Sequence, residues 1–366
     1  MKIAKISFYE APISLREPFI ISLGPLTHAN NVFVKLETDT GLTGWGEASP
    51  FPMIHGETMA GCVAVGQYLA RQLLTLDPAD HAGVLTAMDG AIYGNSCIKG
   101  ALEIACYDVA ARAVGQPLYA YLGAHNDRDI RTDYTISLGS VEAMVAKARW
   151  IKARGFSVIK IKLGARTRDA ERVRAISEAV GPDVPLRLDA NQGWSKDQAI
   201  TVLRSIEDLN VQHCEEPIDK RDWHLLREIR EATTIPLMAD ETCWDDADAR
   251  RLIDHQSVDR LNVKLSKTGG FTRALRIAEL AGEANIPLQI GGFLETRLGF
   301  TAAAHFGLLP AVTFYDLDTP LMQSVDPIVG GMVYGAGGRV SLPNAPGLGA
   351  SVAEPYLRNL DTVVIE

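Results

Sequence analysis

Residues 158–191 read VIKIKLGARTRDAERVRAISEAVGPDVPLRLDAN. A short run rich in β-branched residues, Val158–Leu163, leads into an amphipathic helical stretch, Asp169–Val180, and then into a second apolar run, Pro185–Asn191. The unit recurs on both sides. Strands are predicted at Thr132–Leu138, Val158–Leu163, Pro185–Asn191, Val211–Pro217, Pro236–Glu241, Asp259–Leu265, Pro287–Gly292 and Thr313–Asp318. Helical stretches such as Val141–Arg154, Lys196–Leu209, Asp246–Gln256 and Thr272–Ala284 lie between them. Alternating strand and helix means a parallel sheet, and eight such units are what a closed (β/α) barrel requires. A doubly wound open sheet would have fewer units and a G-x-G-x-x-G turn after its first strand, which this chain lacks.

The first third is different. Lys2–Tyr9 and Asn31–Glu37 read as strands, Asp39–Trp45 as a hairpin turn with its return strand, and Thr58–Leu74 and Ser96–Val114 as helices. Two stretches rich in Gly, Pro and His, Ser22–Asn30 and Ser49–Gly56, read as loops. The segment Leu321–Glu366 is rich in Gly and Pro, with a short strand at Arg339–Leu342. The expected organisation is an α/β chain in three parts. Residues 1–125 form an α+β capping domain, 126–320 a (β/α) barrel, and 321–366 a segment that returns to pack on the capping domain.

Composition excludes several classes. The chain of 366 residues is 47% apolar and 22% charged, ordinary for a globular protein. Its net charge is −9 and it has no Lys/Arg block, which disfavours nucleic acid as a partner. The five cysteines, Cys62, Cys97, Cys106, Cys214 and Cys243, are odd in number and scattered. That fits neither a disulfide framework nor a cysteine metal site and points to a reducing, cytoplasmic setting. No apolar run is long enough for a membrane span, and the N-terminus lacks a signal-peptide pattern.

In such a barrel, chemistry gathers at the C-terminal ends of the strands. There the chain places Lys160 and Lys162, Asp189 and Asn191, Glu215 and Glu216, Asp240 and Glu241, Asn262 and Lys264, and Asp316 and Asp318. Any one of these could be a solvated strand end. Charge at so many ends facing one mouth is hard to treat as accident. Asp189, Glu215 and Asp240 are separated by 26 and 25 residues, one strand step each, so the three carboxylates stand side by side. They repel one another unless a cation sits between them, and oxygen-only ligands suit one Mg2+ per chain. Glu216 and Glu241 fall on the opposite strand face and read as supporting or structural groups. Lys162 and Lys264 flank the cluster from strands two and six. Two amines across one carbon allow a proton to leave one face and return to the other, inverting the centre. Lys160 and the cation would lower the pKa of the neighbouring lysine.

These motifs, Lys160-Ile-Lys162, Asp189-Ala-Asn191, Glu215-Glu-Pro217, Asp240-Glu241 and Asn262-Val-Lys264 followed by Lys267-Thr-Gly-Gly, resemble the muconate-lactonizing subgroup of the enolase superfamily. The resemblance covers essentially the whole chain. It implies a barrel with an N-terminal capping domain whose two loops, Ser22–Asn30 and Ser49–Gly56, close over the mouth. It also implies a lysine base working with Mg2+. Within the subgroup, Asp316-Leu317-Asp318 resembles the D-x-D with which dipeptide epimerases hold a free α-ammonium, and paired carboxylates suit a cation. The reading that follows is an isomerase, a dipeptide epimerase. Asp189, Glu215 and Asp240 bind Mg2+, Lys162 and Lys264 are the acid/base pair, and Lys160, Asp316 and Asp318 bind substrate. Thr135 is assigned a hydrogen bond to substrate, and Glu295 is read either as a substrate contact or as a helix N-terminal cap.

Gly24 stands where epimerases specific for Ala-Glu carry an arginine, so a small or apolar second residue, as in Ala-Ala, is expected. His28 and His55 remain candidates for a polar contact. The same site could instead run N-acylamino acid racemisation, o-succinylbenzoate synthesis or muconate cycloisomerisation, although none of these explains Asp316 and Asp318. A non-catalytic ligand-binding barrel would be expected to show a broken lysine or ligand set. The oligomeric state stays open, a homo-oligomer included, as do the pathway and the stereoisomers used.

Overall fold

A computed structural model describes residues 1–165 and 167–366. Eight parallel strands, Tyr134–Ile136, Ile159–Lys162, Leu186–Asp189, Val211–Glu215, Leu237–Ala239, Arg260–Lys264, Leu288–Gly291 and Val312–Tyr315, pair in chain order. They are numbered one to eight below. The sheet curves until its edges meet: Asp133 N–H donates to the Tyr315 carbonyl, and Leu317 N–H donates to Thr132 Oγ1. Helices follow strands one to seven. The eighth strand runs instead into a 3-10 turn, Thr319–Met322, so the last unit has no helix. The Gly- and Pro-rich chain beyond that turn, with Pro327, Gly330 and Gly331, does not sustain a helix.

Local chemistry sets the helix starts. Ser140 accepts from Ala143 N–H and Asp245 from Asp248 N–H, and Ser195 forms a capping box with Gln198.

The N-terminal sheet is antiparallel and contains Ile3–Ile21, Gly24–Thr38, Thr43–Ala48 and the C-terminal strand Thr362–Ile365, which pairs with Ile6–Tyr9. One expectation fails here. Ser22–Asn30 is not a loop: Gly24–Asn30 is strand, with Phe19 opposite Leu26 and Ile21 opposite Gly24. Only Ser22 and Leu23 turn. The Gly/Pro/His content hid the strand, but ladder bonds to the long first strand satisfy its backbone, and Gly24 takes the φ of +125° that the turn requires. The result is a two-stranded ribbon laid over the barrel mouth. It is latched by Leu138 N–H to Ile20 O (2.9 Å), Ser22 Oγ to Asn191 O (2.7 Å) and Arg16 Nε to Gln323 O (2.8 Å). Ser49–Gly56 contains one helical turn, Pro52–His55, closed by Gly56 in the left-handed region.

Helix Ser96–Ala113 is buried on nearly every side between the antiparallel sheet and the barrel. It approaches so closely that a Cβ at Gly44 or Gly46 would overlap the carbonyls of Ala105 or Ala101.

Capping domain and barrel are joined by buried carboxylates set at barrel helix starts. Glu103 accepts from Thr272 N–H at the start of Phe271–Glu283. Glu47 takes four donors: Asn31 Nδ2, Thr296 N–H, Thr296 Oγ1 and Gly299 N–H, all at 2.7–2.8 Å. Burial pushes its carboxyl up to about 7 against the pull of those donors. At pH 8 it is ionised and both oxygens accept. Gln would turn an –NH2 toward N–H donors, so Glu47→Gln should cost about 2 kcal/mol in denaturant unfolding at pH 8. An unchanged unfolding midpoint would show that this contact does not tie the domains together.

Candidate active site

The strand register builds the site. Lys162 lies opposite Asp189 and Asp189 opposite Glu215, so three functional side chains form one row across strands two, three and four. Asp240 follows immediately after strand five, and Lys264 ends strand six. Backbone after these strands is strained: Asn191, Gln192 and Glu216 hold positive φ, a feature that concentrates at functional sites. Asn191 N–H donates to Asp189 Oδ1 at 3.0 Å, fixing that carboxylate.

The buried charges form one network. Lys160 Nζ reaches Glu215 Oε2 and Asp316 Oδ2 at 2.7 Å and Asp189 Oδ2 at 3.1 Å. Lys162 Nζ lies 2.6 Å from Asp189 Oδ2, and Lys264 Nζ 2.6 Å from Asp240 Oδ2. Asn262 and Gln289 donate to Glu215. Burial works against each ammonium. For Lys160, the carboxylates of Asp316, Glu215 and Asp189 outweigh it and hold the pKa well above the ordinary lysine value. For Lys264, Asp240 and Glu215 do the same. Among the acids, burial and the nearby Asp189 raise Glu215 to about 8, whereas for Asp240 the lysines 264 and 267 overcome burial and hold the pKa well below the usual range.

The residues singled out from the sequence do not all converge. Lys162, Lys264, Thr135, Asp316 and Asp318 line one cavity, with Asn191 and Thr319. Its wall on the capping side is apolar: Phe19, Ile21, Leu26, Phe51 and Ile54. Aromatic rings sit over both amines, Phe19 at 5.8 Å from Lys162 Nζ and Phe293 at 4.4 Å from Lys264 Nζ. Asp189, Glu215, Asp240 and Lys160 form the floor beneath. The free volume, ≈ 40 Å3, holds no more than a few waters.

Glu295 is turned away. Its carboxylate accepts from Ser266 Oγ and Phe293 N–H and faces a separate small cavity beside Glu47. The adjacent helix is capped by Thr296. His28 is exposed and bonded to Thr27, and His55 accepts from Phe51 N–H with its ring on Phe293. Neither lines the cavity. Gly24 sits at the ribbon tip with nothing near its Cβ position.

Sequence reasoning passed over Asp133, and it named Lys267, Glu216 and Glu241 without their partners. Lys267, quoted in the sequence only as part of the Lys267-Thr-Gly-Gly motif, is 1% exposed and donates to Asp240 Oδ1, Asp240 O and Asn262 O. Its spacing from Lys264 gave the hint, since the helical turn Leu265–Thr268 folds it back beneath the site. Asp133, paired with Arg187 at 2.8 Å, has carboxylate oxygens within 4.8 Å of those of Asp316 and Asp318. Glu216 accepts from Asp240 N–H, Thr242 N–H and Thr242 Oγ1, and Glu241 accepts from Asn191 and Gln192.

The donors fit a hard divalent cation. Asp189, Glu215 and Asp240 offer only oxygen, are wholly buried, and are held mainly by ammonium groups that can yield to a metal. Among the described residues, Asp133, Asp316 and Asp318 are the only three carboxylates with oxygens within 4.8 Å of one another; those of Asp189, Glu215 and Asp240 are more widely spaced, with Lys160, Lys162 and Lys264 paired among them.

Residues 3–123 match the mandelate racemase/muconate lactonizing enzyme N-terminal domain, and residues 143–356 match the enolase C-terminal domain-like family. The chain belongs to the enolase superfamily. A D-Ala-D/L-Ala epimerase of Cytophaga hutchinsonii is 50% identical over the full length of both chains, and an L-Ala-D/L-Glu epimerase of Bacillus subtilis is 38% identical over 95% of this chain and 96% of its own. A hydrophobic dipeptide epimerase of Enterococcus faecalis is 36% identical over 96% of this chain and all of its own. A crystal structure of the Cytophaga hutchinsonii dipeptide epimerase with Mg and D-Ala-L-Val superposes with a TM-score of 0.99, at 49% identity and full coverage of both chains. This superfamily member thus carries the eight-strand scaffold and capping sheet expected from its sequence.

Removing the Lys267 ammonium leaves the fully buried Asp240 short of a partner. Lys267→Met is therefore expected to lower stability by about 3 kcal/mol, read by chemical denaturation. A loss below about 0.5 kcal/mol, the scale of an exposed pair, would contradict its buried role.

Proposed function

We propose that this chain is a Mg2+-dependent dipeptide epimerase that inverts the α-carbon of the C-terminal residue of a small or apolar dipeptide. The observation that carries the reading is one cavity shared by two lysines from opposite strands and by two aspartates. Lys162 and Lys264 line it from strands two and six, and Asp316 and Asp318 line its side. When bound among Asp189, Glu215 and Asp240, Mg2+ would offset the second negative charge that loss of an α-proton creates.

The chain's own residues supply the rest. One lysine in its neutral form takes the α-proton, and the other, as ammonium, returns a proton on the opposite face. Lys160 sets positive charge at the floor, against the carboxylates that gather there. Asp316 and Asp318 receive the substrate's free ammonium, whereas an N-acyl group would leave their charge unpaired, which disfavours the racemase and cycloisomerase alternatives. Thr135 donates its backbone N–H to Asp318 Oδ2 at 2.6 Å and so orients it. Phe19, Ile21, Leu26, Phe51 and Ile54 keep water from the reacting carbon. Among the described residues, Lys162 and Lys264 are the only cations on the cavity wall. A Glu side chain would thus find no guanidinium partner, which favours apolar dipeptides. The hydrophobic and Ala-Ala specificities in the names of two relatives agree with this.

Deuterium uptake at the α-carbon in D2O tests the proposal. With Mg2+, Ala-Ala should exchange and epimerise faster than Ala-Glu, and a preference for Ala-Glu would refute the side-chain assignment. Lys162→Ala and Lys264→Ala should each reduce epimerisation by about 10^3-fold. Each should block proton exchange from a different stereoisomer. Interconversion surviving in either variant would remove the two-base assignment.

A further inference from the structure

Beneath the aspartate pair lies a third carboxylate that the reaction outlined above does not use. Asp133, at the start of strand one, is completely buried, as is Asp318. Its Oδ2 accepts from Arg187 Nη1 at 2.8 Å, and the same Nη1 donates to the Tyr315 carbonyl at 2.8 Å. Arg187 is tied further to Gln212 Oε1 through Nε at 2.9 Å. The guanidinium is thus fixed by three bonds, and Asp133 with it. The other Asp133 oxygen, Oδ1, is buried and has no hydrogen-bond partner.

Asp318 mirrors this. Its Oδ2 accepts from Thr135 N–H at 2.6 Å, while its Oδ1 is buried without a partner, and the residue faces the lysine cavity. Asp316 is satisfied by Lys160. Three carboxylates therefore crowd within 4.8 Å of one another. Among the described residues only two cations serve them, and Lys160 is shared with Asp189 and Glu215. The group is short by one positive charge, and a buried unpaired carboxylate oxygen on the cavity side is where that charge belongs.

We infer that Asp133 is a positioning residue of the ammonium subsite: fixed by Arg187, it holds its carboxylate within 4.8 Å of that of Asp318, so that the one uncompensated negative charge of the cluster faces the cavity and a free-amine substrate is preferred over one lacking the amine. The inference rests on the dipeptide reading and adds to it the source of the selectivity for the charged N-terminus. Asp133 touches no substrate atom. It acts through Asp318, whose partnerless oxygen would otherwise gain little from a monovalent cation at the edge of a lysine-rich floor.

The test compares two substrates in the same enzyme sample, L-Ala-L-Ala and propionyl-L-alanine, which differ only in the amine. Both are followed by α-deuterium uptake in the Mg2+-loaded protein. Asp133→Asn keeps an acceptor for Arg187 but removes the charge. The wild type should favour the free amine strongly. In Asp133→Asn that preference should fall about tenfold or more, the scale of one lost charged hydrogen-bond interaction, through a raised KM for the dipeptide. kcat, and the kcat/KM of propionyl-alanine, should stay within a few-fold. Because the readout is a ratio within one sample, a reduced folded fraction cancels. Asp133→Glu, which keeps the charge, should retain most of the preference.

Equal losses on both substrates, an unchanged ratio in Asp133→Asn, or a ratio as low in Asp133→Glu as in Asp133→Asn would each overturn the inference while leaving the dipeptide reading intact. A wild type that exchanges both substrates equally would overturn the dipeptide reading and this inference together.

Discussion

Four buried ammonium groups, Lys160, Lys162, Lys264 and Lys267, are interleaved with the carboxylates of Asp189, Glu215, Asp240 and Asp316, and the site depends on that pairing. A lone charge in such a place costs several kcal/mol, and removing one partner of a buried pair costs more than the pair contributes. The network is therefore tolerated as a whole. It holds the groups a proton transfer needs, amines beside acids that can exchange them for a metal, at the one end of the barrel where strand ends converge.

The capping domain makes the network workable. Its ribbon brings Phe19, Ile21 and Leu26 across the mouth, and its Ser49–Gly56 segment brings Phe51 and Ile54. These side chains thin the water around the lysines, which strengthens every charge interaction below. The ribbon keeps its place through backbone bonds to Leu138, Asn191 and Gln323, while Glu47 and Glu103 anchor the domain at the starts of two barrel helices. The ribbon and the rest of the capping domain are thus held by separate contacts.

The barrel was legible because its signals are periodic: an apolar run, a polar-faced helix, and charge at each strand end. Asp189, Glu215 and Lys162 could be placed together since strand register turns equal spacing into adjacency. What stayed hidden depended on contacts distant in sequence. Lys267 looks like surface until the turn after strand six buries it, and Asp133 looks like a strand start until Arg187 reaches it from strand three. Gly24–Asn30 carries loop-like residues, and only its partner strand makes it a ribbon. Glu295 was ambiguous in sequence because nothing there tells that Gly292 leaves room for its carboxylate to fold back under the loop; a Cβ on that glycine would crowd it.

Two groups of buried carboxylates lie within one site, and which of them would take a divalent ion decides between a proton-transfer centre and a simple acidic pocket. Titration with Mn2+ in place of Mg2+, followed by electron paramagnetic resonance, distinguishes them. One tight site per chain is expected, lost in Glu215→Gln and retained in Asp316→Asn. Binding that survives Glu215→Gln but disappears in Asp316→Asn would put the ion among Asp133, Asp316 and Asp318, away from the row beside Lys162, and would contradict the mechanism at its root.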